Sequence, residues 1–296
     1  MLTLDRVTKT FRTGTFSGQG VTAVDRVSFG IDPGEVVTLI GESGSGKSTI
    51  GRMILGLTRV SAGSLTLDGE PVRSGKEYHR RVQGVFQDPF SCFNPVFKAD
   101  RVFAMIKDAY HPHVPAADWR TRVEKVVRDV RLDPAQVLGK YPHQLSGGQL
   151  QRLLIARTLL LDLEFLVADE ITSMLDASTR IDVLNLLGDL RERGLGVLYI
   201  THDLSLGTYL AERTVVLRHG RVVERGATEM VFGNPQHPYT RHLLAAVPRL
   251  GVDWSDAEPV EICLYHAAEA TGDVYELEPD HYVACAQLPD CGRTQK

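Results

Sequence analysis

No hydrophobic run in the 296 residues approaches the roughly 18 consecutive apolar positions that a membrane-crossing helix needs. The first dozen residues, which include Asp5, Arg6, Lys9 and Arg12, also lack the unbroken apolar centre of a signal peptide, so a soluble chain kept in the cytoplasm is expected. Cysteine is scarce. The four thiols, Cys92, Cys263, Cys285 and Cys291, show no C-x-x-C spacing, which argues against the common zinc modules and suits a reducing compartment. Excess charge is also small: 33 Lys and Arg against 37 Asp and Glu leave a net charge of -4. There is no global basic field to hold a nucleic-acid backbone, and no nucleic-acid partner is expected. With 43% hydrophobic and 24% charged residues, what remains is an ordinary globular chain, large enough for one sizeable domain and an appendage.

What the sequence does contain is Gly41-Glu42-Ser43-Gly44-Ser45-Gly46-Lys47-Ser48-Thr49, a match to the phosphate-cradling pattern G-x-x-x-x-G-K-[ST]. The β-branched run Val36-Val37-Thr38-Leu39-Ile40 before it predicts a buried strand, while Ile50, Met53, Ile54 and Leu57 fall at i, i+3, i+4 and i+7 and predict one helix face. Glycine lets the backbone N–H groups of such a loop turn inward around an anion, and the helix N-terminus adds partial positive charge. Ser43, Gly44, Ser45, Gly46 and Thr49 would then line a nucleoside triphosphate, Lys47 would reach its β- and γ-phosphates, and Ser48 would hold Mg²⁺.

Around that loop, the apolar positions of Leu2 to Ile31 alternate or cluster about a Gly-rich insert, Thr13 to Gly20, and predict a β-rich N-terminal layer. Phe11, beside the insert, reads either as a strand aromatic or as a platform for a flat ligand ring. Ser64 to Leu67 followed by Asp68-Gly69 predicts a strand and turn, and Val85 to Pro89 a short strand ended by Gln87, a solvated polar residue or a ligand for metal or water. From Pro89 to Arg101, Phe90, Phe93 and Phe97 have no clear periodicity, so exposed rings and a partner surface are expected. A helix with Val123, Val126, Val127 and Val130 on one face follows. Ser146 reads as the N-cap of a helix entered by Leu150, Leu153 and Leu154, yet Gly147 and Gly148 beside it make a second anion-binding end. One phosphate cannot sit in both loops unless the fold brings them together. The run Phe165 to Ala168 delivers Asp169 and Glu170 at a strand end, where they would either cap the next helix or serve Mg²⁺ and an attacking water. Ile181, Leu184, Leu187 and Leu190 are spaced for packing in that helix; Gly196 to Ile200 predicts a strand ending at His202, structural or catalytic; and a hairpin about His219-Gly220 closes the sheet.

In this order the motifs resemble the ATPase subunits of ATP-binding cassette (ABC) transporters, above all through Leu145-Ser146-Gly147-Gly148-Gln149. The resemblance implies an α/β phosphate-loop core with an antiparallel β layer, a helical subdomain at about residues 90–160, a nucleotide-binding domain over residues 1–233 and a small C-terminal extension over 234–296. It makes Gly41 to Ser48 the Walker A loop, Gln87 the Q-loop glutamine, Asp169 the Walker B aspartate, Glu170 the catalytic glutamate, Asp176 part of the D-loop and His202 the switch histidine. Mg²⁺ would be held by Ser48, Gln87 and Asp169. Such subunits pair head to tail, so Ser146, Gly147, Gly148, Gln149 and Asp176 would meet ATP held by the partner's loop. Ile171 and Met174 depart from the family's usual proline and alanine without removing a catalytic group.

Gln87-Asp88-Pro89-Phe90-Ser91 and Asn234-Pro235-Gln236-His237-Pro238-Tyr239-Thr240 look like segments of the oligopeptide, dipeptide and nickel importers. The resemblance then implies a second ATPase subunit of a different chain, two membrane permeases, an extracytoplasmic solute-binding protein, and a place on the cytoplasmic face of the membrane. The loop from Phe90 to Phe97 is expected to dock on a permease helix. Some relatives bind an iron–sulfur cluster in a cysteine-rich tail. A cubane takes four thiolates, and this tail has Cys263, Cys285 and Cys291, with His266 as a conceivable substitute, so a metal-free β-rich cap with strands at Val260 to Leu264 and His281 to Ala284 is expected instead. The competing functions are a soluble cassette protein of translation or DNA repair and an exporter; the sequence shows neither a second cassette, long coiled coils, zinc modules nor fused membrane helices.

Overall fold

The alternating apolar residues at the start of the chain bury one face of a sheet. In the computed structural model, which describes residues 1–12, 20–246 and 274–284, β1 (Leu2–Arg12) pairs antiparallel with β2 (Gly20–Ile31), and Leu2, Leu4, Val7, Val24, Val27, Phe29 and Ile31 are buried. Most of the Gly-rich insert lies outside the described residues. β3 (Val36–Ile40) is buried throughout and leads through the phosphate loop into α1 (Lys47–Ile54). Leu57, expected on the same helix face, instead lies past the helix end and is exposed, because the chain turns away at Leu55 and Gly56. β4 (Ala62–Leu67) and β5 (Glu70–Pro71) complete a four-stranded layer in the order β2-β1-β4-β5, with the turn at Asp68-Gly69 as expected.

After α2 (Lys76–Arg81), β6 runs over Val82–Val85, earlier than the strand expected at Val85 to Pro89. The residues that bury are Val82 and Val85; beyond them Pro89 enters a short 3-10 turn, Phe90–Cys92, whose Ser91 hydroxyl donates to the Asp88 carbonyl. α3 (Arg101–Tyr110), α4 (Ala116–Asp129), α5 (Pro134–Val137) and α6 (Gly147–Thr158) then share a core that includes Phe103, Trp119, Val123, Val127, Leu150 and Leu153. Phe93 belongs to that core and is only 6% exposed, so of the three rings expected outside only Phe90 and Phe97 are exposed.

β7 (Phe165–Asp169), α7 (Ala177–Glu192), β8 (Gly196–Ile200), α8 (Leu204–Leu210) and the hairpin β9 (Arg213–Arg218) and β10 (Arg221–Ala227) follow. In α7, Leu184, Leu187 and Leu190 are buried but Ile181 is exposed. Nine residues rotate an α-helix by half a turn, so Ile181 and Leu190 cannot share a face, and Val183 takes the inner place. α9 (Thr228–Gly233) and α10 (Pro238–Ala245) lead to a second hairpin, β11 (Tyr275–Glu278) and β12 (His281–Val283). The first hairpin therefore does not close the sheet: β12 pairs with β10, giving the order β11-β12-β10-β9-β3-β8-β7-β6 among the described residues. The expected strand at His281 to Ala284 is thus present as β12, while Val260, Ile262, Leu264 and the tail cysteines lie outside the described residues.

Candidate nucleotide-binding site

Four adjacent strands set up the site. β3, β8, β7 and β6 are parallel, with Leu39 level with Ile200, Ile200 with Asp169, and Ala168 with Val85, so the loops after them leave one edge of the sheet. Those loops carry Lys47, His202, Glu170 and Gln87. Open parallel sheets bind ligands along that edge.

The phosphate loop is held tightly from behind. Gly41 and Gly46 have φ of 150° and 108°; a Cβ on Gly46 would meet the Ala23 carbonyl at 2.5 Å, and one on Gly41 would run into the Leu217 carbonyl. The Gly220 N–H donates to the Ser45 carbonyl at 2.9 Å. Lys47 is buried and its Nζ donates to the carbonyls of Gly41, at 2.7 Å, and Glu42, at 2.8 Å. Burial lowers its pKa, opposed by the charges of Glu170, Asp169 and Glu42, so acidic neighbours favour the charged form of a cation short of water. The α1 N-terminus has no side-chain cap, leaving its N–H groups facing the cradle. Among the loop's own polar groups, the Ser45 hydroxyl is buried without a hydrogen-bond partner.

Ser48 Oγ donates to Asp169 Oδ1 at 3.3 Å, joining the first turn of α1 to the end of β7. Burial raises the Asp169 pKa, and the neighbouring Glu170 charge adds to the effect; Ser48, Arg52 and Lys47 oppose it. Hydroxyl and carboxylate oxygens form the hard donor set a small divalent cation prefers. Glu170 does not cap a helix. Its φ is 51°, its N–H donates to the Ile200 carbonyl at 2.8 Å, and its Oε1 stands 3.2 Å from Nδ1 of the exposed His202. A carboxylate and an imidazole so placed can orient one another. Gln87 is exposed two residues beyond β6 rather than ending it. Phe11 is exposed on β1 opposite Val21, close in sequence to the Ala23 that backs Gly46, with Lys9 Nζ 5.0 Å from its ring centre.

Ser146 caps α6 in a reciprocal box: its Oγ accepts from the Gln149 N–H at 3.2 Å, and Gln149 Oε1 accepts from the Ser146 N–H at 2.9 Å. The atoms nearest a Cβ at Gly147 would belong to Phe90, Leu175 and Met174, and at Gly148 to Thr179. Among the described residues, no hydrogen bond of Ser146 or Gln149 reaches the phosphate loop. Asp176 caps α7, accepting from the Thr179 N–H at 3.0 Å and the Ser178 hydroxyl at 2.6 Å; these bonds hold its carboxyl well below the usual range. The turn at Ser146 to Gly148 is therefore built against the loops after β6 and β7.

Sequence reasoning assigned no role to Tyr239, whose buried phenol oxygen accepts the Glu42 N–H at 3.0 Å. Only its place in the Asn234 to Thr240 segment, which looks like one in the oligopeptide importers, could have drawn notice to it.

A model of the ABC transporter family matches residues 24–173, and one of the oligopeptide/dipeptide transporter C-terminal region matches residues 223–270. A putative peptide import ATP-binding protein of Brucella ovis is 38% identical over 88% of this chain and 90% of its own length. The oligopeptide transport ATP-binding protein OppF of Bacillus subtilis is 36% identical over 90% of this chain and 91% of its own. Among solved structures, a bacterial ABC transporter cassette determined as a dimer overlays with a TM-score of 0.68 at 30% identity, covering 77% of this chain and 99% of that one.

Proposed function

The chain belongs to the ABC transporter family, and from that premise we propose that it is the ATP-binding and ATP-hydrolysing subunit of an importer for peptides or a related solute such as oligosaccharides or nickel. One observation supports the site assignment: Lys47, Ser48, Asp169, Glu170 and His202 meet at the carboxyl edge of β3, β8 and β7, while the neighbours of Gly147 and Gly148 are Phe90, Met174, Leu175 and Thr179. Each subunit then supplies half of two sites.

In this reading the backbone from Ser43 to Thr49 cradles the phosphates and Lys47 exchanges its carbonyl partners for phosphate oxygens. Phe11 stacks on the base. Mg²⁺ accompanying the nucleotide supplies charge neutralisation on the β- and γ-phosphates, and Ser48 and Asp169, with Gln87, are the residues to hold it. Glu170 takes the proton of the attacking water, and His202 fixes the carboxylate's orientation. Ser146, Gly147, Gly148, Gln149 and Asp176 serve the nucleotide of the partner ATPase. In this reading the transport path belongs to two permease subunits, with a solute-binding protein outside and this chain at the cytoplasmic face; no described helix is long and apolar enough to cross a membrane. The Phe90 to Phe97 segment, continuous with Gln87, is the contact through which a change at the γ-phosphate moves a permease.

The test is Glu170→Gln in the importer reconstituted in vesicles. Removing one positioned base should slow hydrolysis by roughly 10²- to 10⁴-fold and abolish transport while nucleotide affinity stays unchanged. Turnover at the normal rate would sink the assignment.

A further inference from the structure

One carboxylate gathers the C-terminal part of the chain onto the central sheet. Glu224, on β10, is fully buried, and its Oε1 lies 2.7 Å from Nε2 of the equally buried His281 on β12. The same carboxylate accepts the N–H groups of Gln236, at 2.8 Å, and His237, at 2.9 Å, just before α10. A buried carboxylate with three such partners is satisfied only while both the stretch before α10 and β12 are docked on β10. The anchored segment in turn fixes one side chain. His237 Nδ1 accepts the Tyr239 N–H at 3.1 Å, capping α10, and the guanidinium of Arg218 stands 4.9 Å from the Tyr239 ring centre. Tyr239 then reaches the phosphate loop, where its phenol oxygen takes the Glu42 N–H at 3.0 Å.

That hydrogen bond falls at a telling place. Glu42 is the residue whose carbonyl, with that of Gly41, holds the Lys47 ammonium. The peptide on the N-terminal side of Glu42 is thus fixed by Tyr239, while the two carbonyls flanking that residue aim the lysine. Loss of the phenol would leave a partly buried N–H without its partner, and the loop would relax to solvate it. The cost would appear when a nucleotide demands the ordered cradle.

We propose that Tyr239 is a positioning residue for the nucleotide site, acting through the Glu42 backbone, and that Glu224 makes nucleotide affinity depend on the docking of the C-terminal segment against β10. The proposal rests on the phosphate loop being the nucleotide site. It gives this extension a role inside its own subunit.

The experiment measures Mg²⁺–ADP affinity by calorimetry on the full chain and four variants: Tyr239→Phe, Glu224→Gln, the two combined, and Lys47→Ala. Tyr239→Phe keeps the ring and its stack on Arg218, and deletes only the oxygen. It should weaken ADP about three- to tenfold, the worth of one hydrogen bond, with an unchanged melting temperature in the absence of nucleotide and a raised KM at near-normal kcat in the assembled importer. Glu224→Gln should weaken ADP similarly, and the double variant should be no weaker than the worse single one, since both act along one chain of contacts. Unchanged affinity in Tyr239→Phe while Lys47→Ala loses ADP would overturn the proposal and leave the site assignment standing; additive losses in the double variant would overturn the role of Glu224. Unchanged affinity in Lys47→Ala would overturn the site assignment beneath it.

Discussion

Phe93 and Phe97 lie four residues apart in one ring-rich loop and play different physical parts. Phe93 is in the core with Phe103 and Trp119, while Phe97 is 39% exposed with the Arg101 guanidinium 3.6 Å from its ring centre. Replacing both with serine therefore cannot test permease docking, because the first change empties a buried site. Phe93→Ser should cost about 3–5 kcal/mol, on the scale of other buried phenylalanine truncations, visible as an earlier denaturation midpoint. Phe97→Ser should leave that midpoint nearly unmoved yet lower the solute carried per ATP hydrolysed in vesicles. Full coupling in Phe97→Ser would place the permease contact elsewhere.

Between elements, the contact that joins the Ser146 cap to the Asp176 cap is α6 against α7. A Cβ on Gly148 would run into Cγ2 of Thr179, whose N–H and hydroxyl both bind the Asp176 cap. Rotating Thr179 to make room would break that cap, so Gly148→Ala should destabilise the chain by about 1–3 kcal/mol, as overpacking does. Adding Thr179→Ser, which removes the clashing methyl and keeps the hydroxyl, should restore most of the loss in a denaturant melt; no recovery would mean that the strain lies elsewhere. Elements of this kind were legible in the sequence where one local pattern decides them: Ser146 as a cap, Val36 to Ile40 as a strand, the valine face of α4. The misplacements share one cause, which is that short apolar runs carry no record of what they pack against. Val85 to Pro89 reads as a strand until Val82 is seen paired with Phe165 of β7, and Ile181 reads as inner until half a helical turn carries it away from Leu190. Within the site, the loop and the acids at the end of β7 were legible because motif spacing fixes them. Tyr239 was not, since its bond to Glu42 spans 197 residues of chain and depends on a docking that no local pattern encodes.

At the scale of the whole molecule, the sheet presents the phosphate loop, Asp169, Glu170 and His202 along one edge, while Gly147 and Gly148 are packed against Met174, Leu175 and Thr179. In the proposed reading the two halves of the family's catalytic arrangement belong to different surfaces of one chain. Each is already braced by its own contacts: Lys47 by Gly41 and Glu42, Ser146 by Gln149. Bringing them together inside one subunit would require α6 to leave the core that Leu150, Leu153 and Leu154 share with α4 and α7, a burial worth several kcal/mol at about 25 cal/mol per Å². Association of two subunits needs no such sacrifice, because both surfaces are presented as folded. The predicted consequence is kinetic. Hydrolysis per chain by the purified subunit should be low at sub-micromolar concentration and rise with concentration or on adding the partner ATPase, following the population of dimer. Under the same conditions Ser146→Arg, which puts bulk and charge on the surface meant for the partner's nucleotide, should suppress that rise while ADP affinity of the free subunit is unchanged. A rate per chain that is constant across dilution and indifferent to Ser146→Arg would mean that one subunit completes its own site.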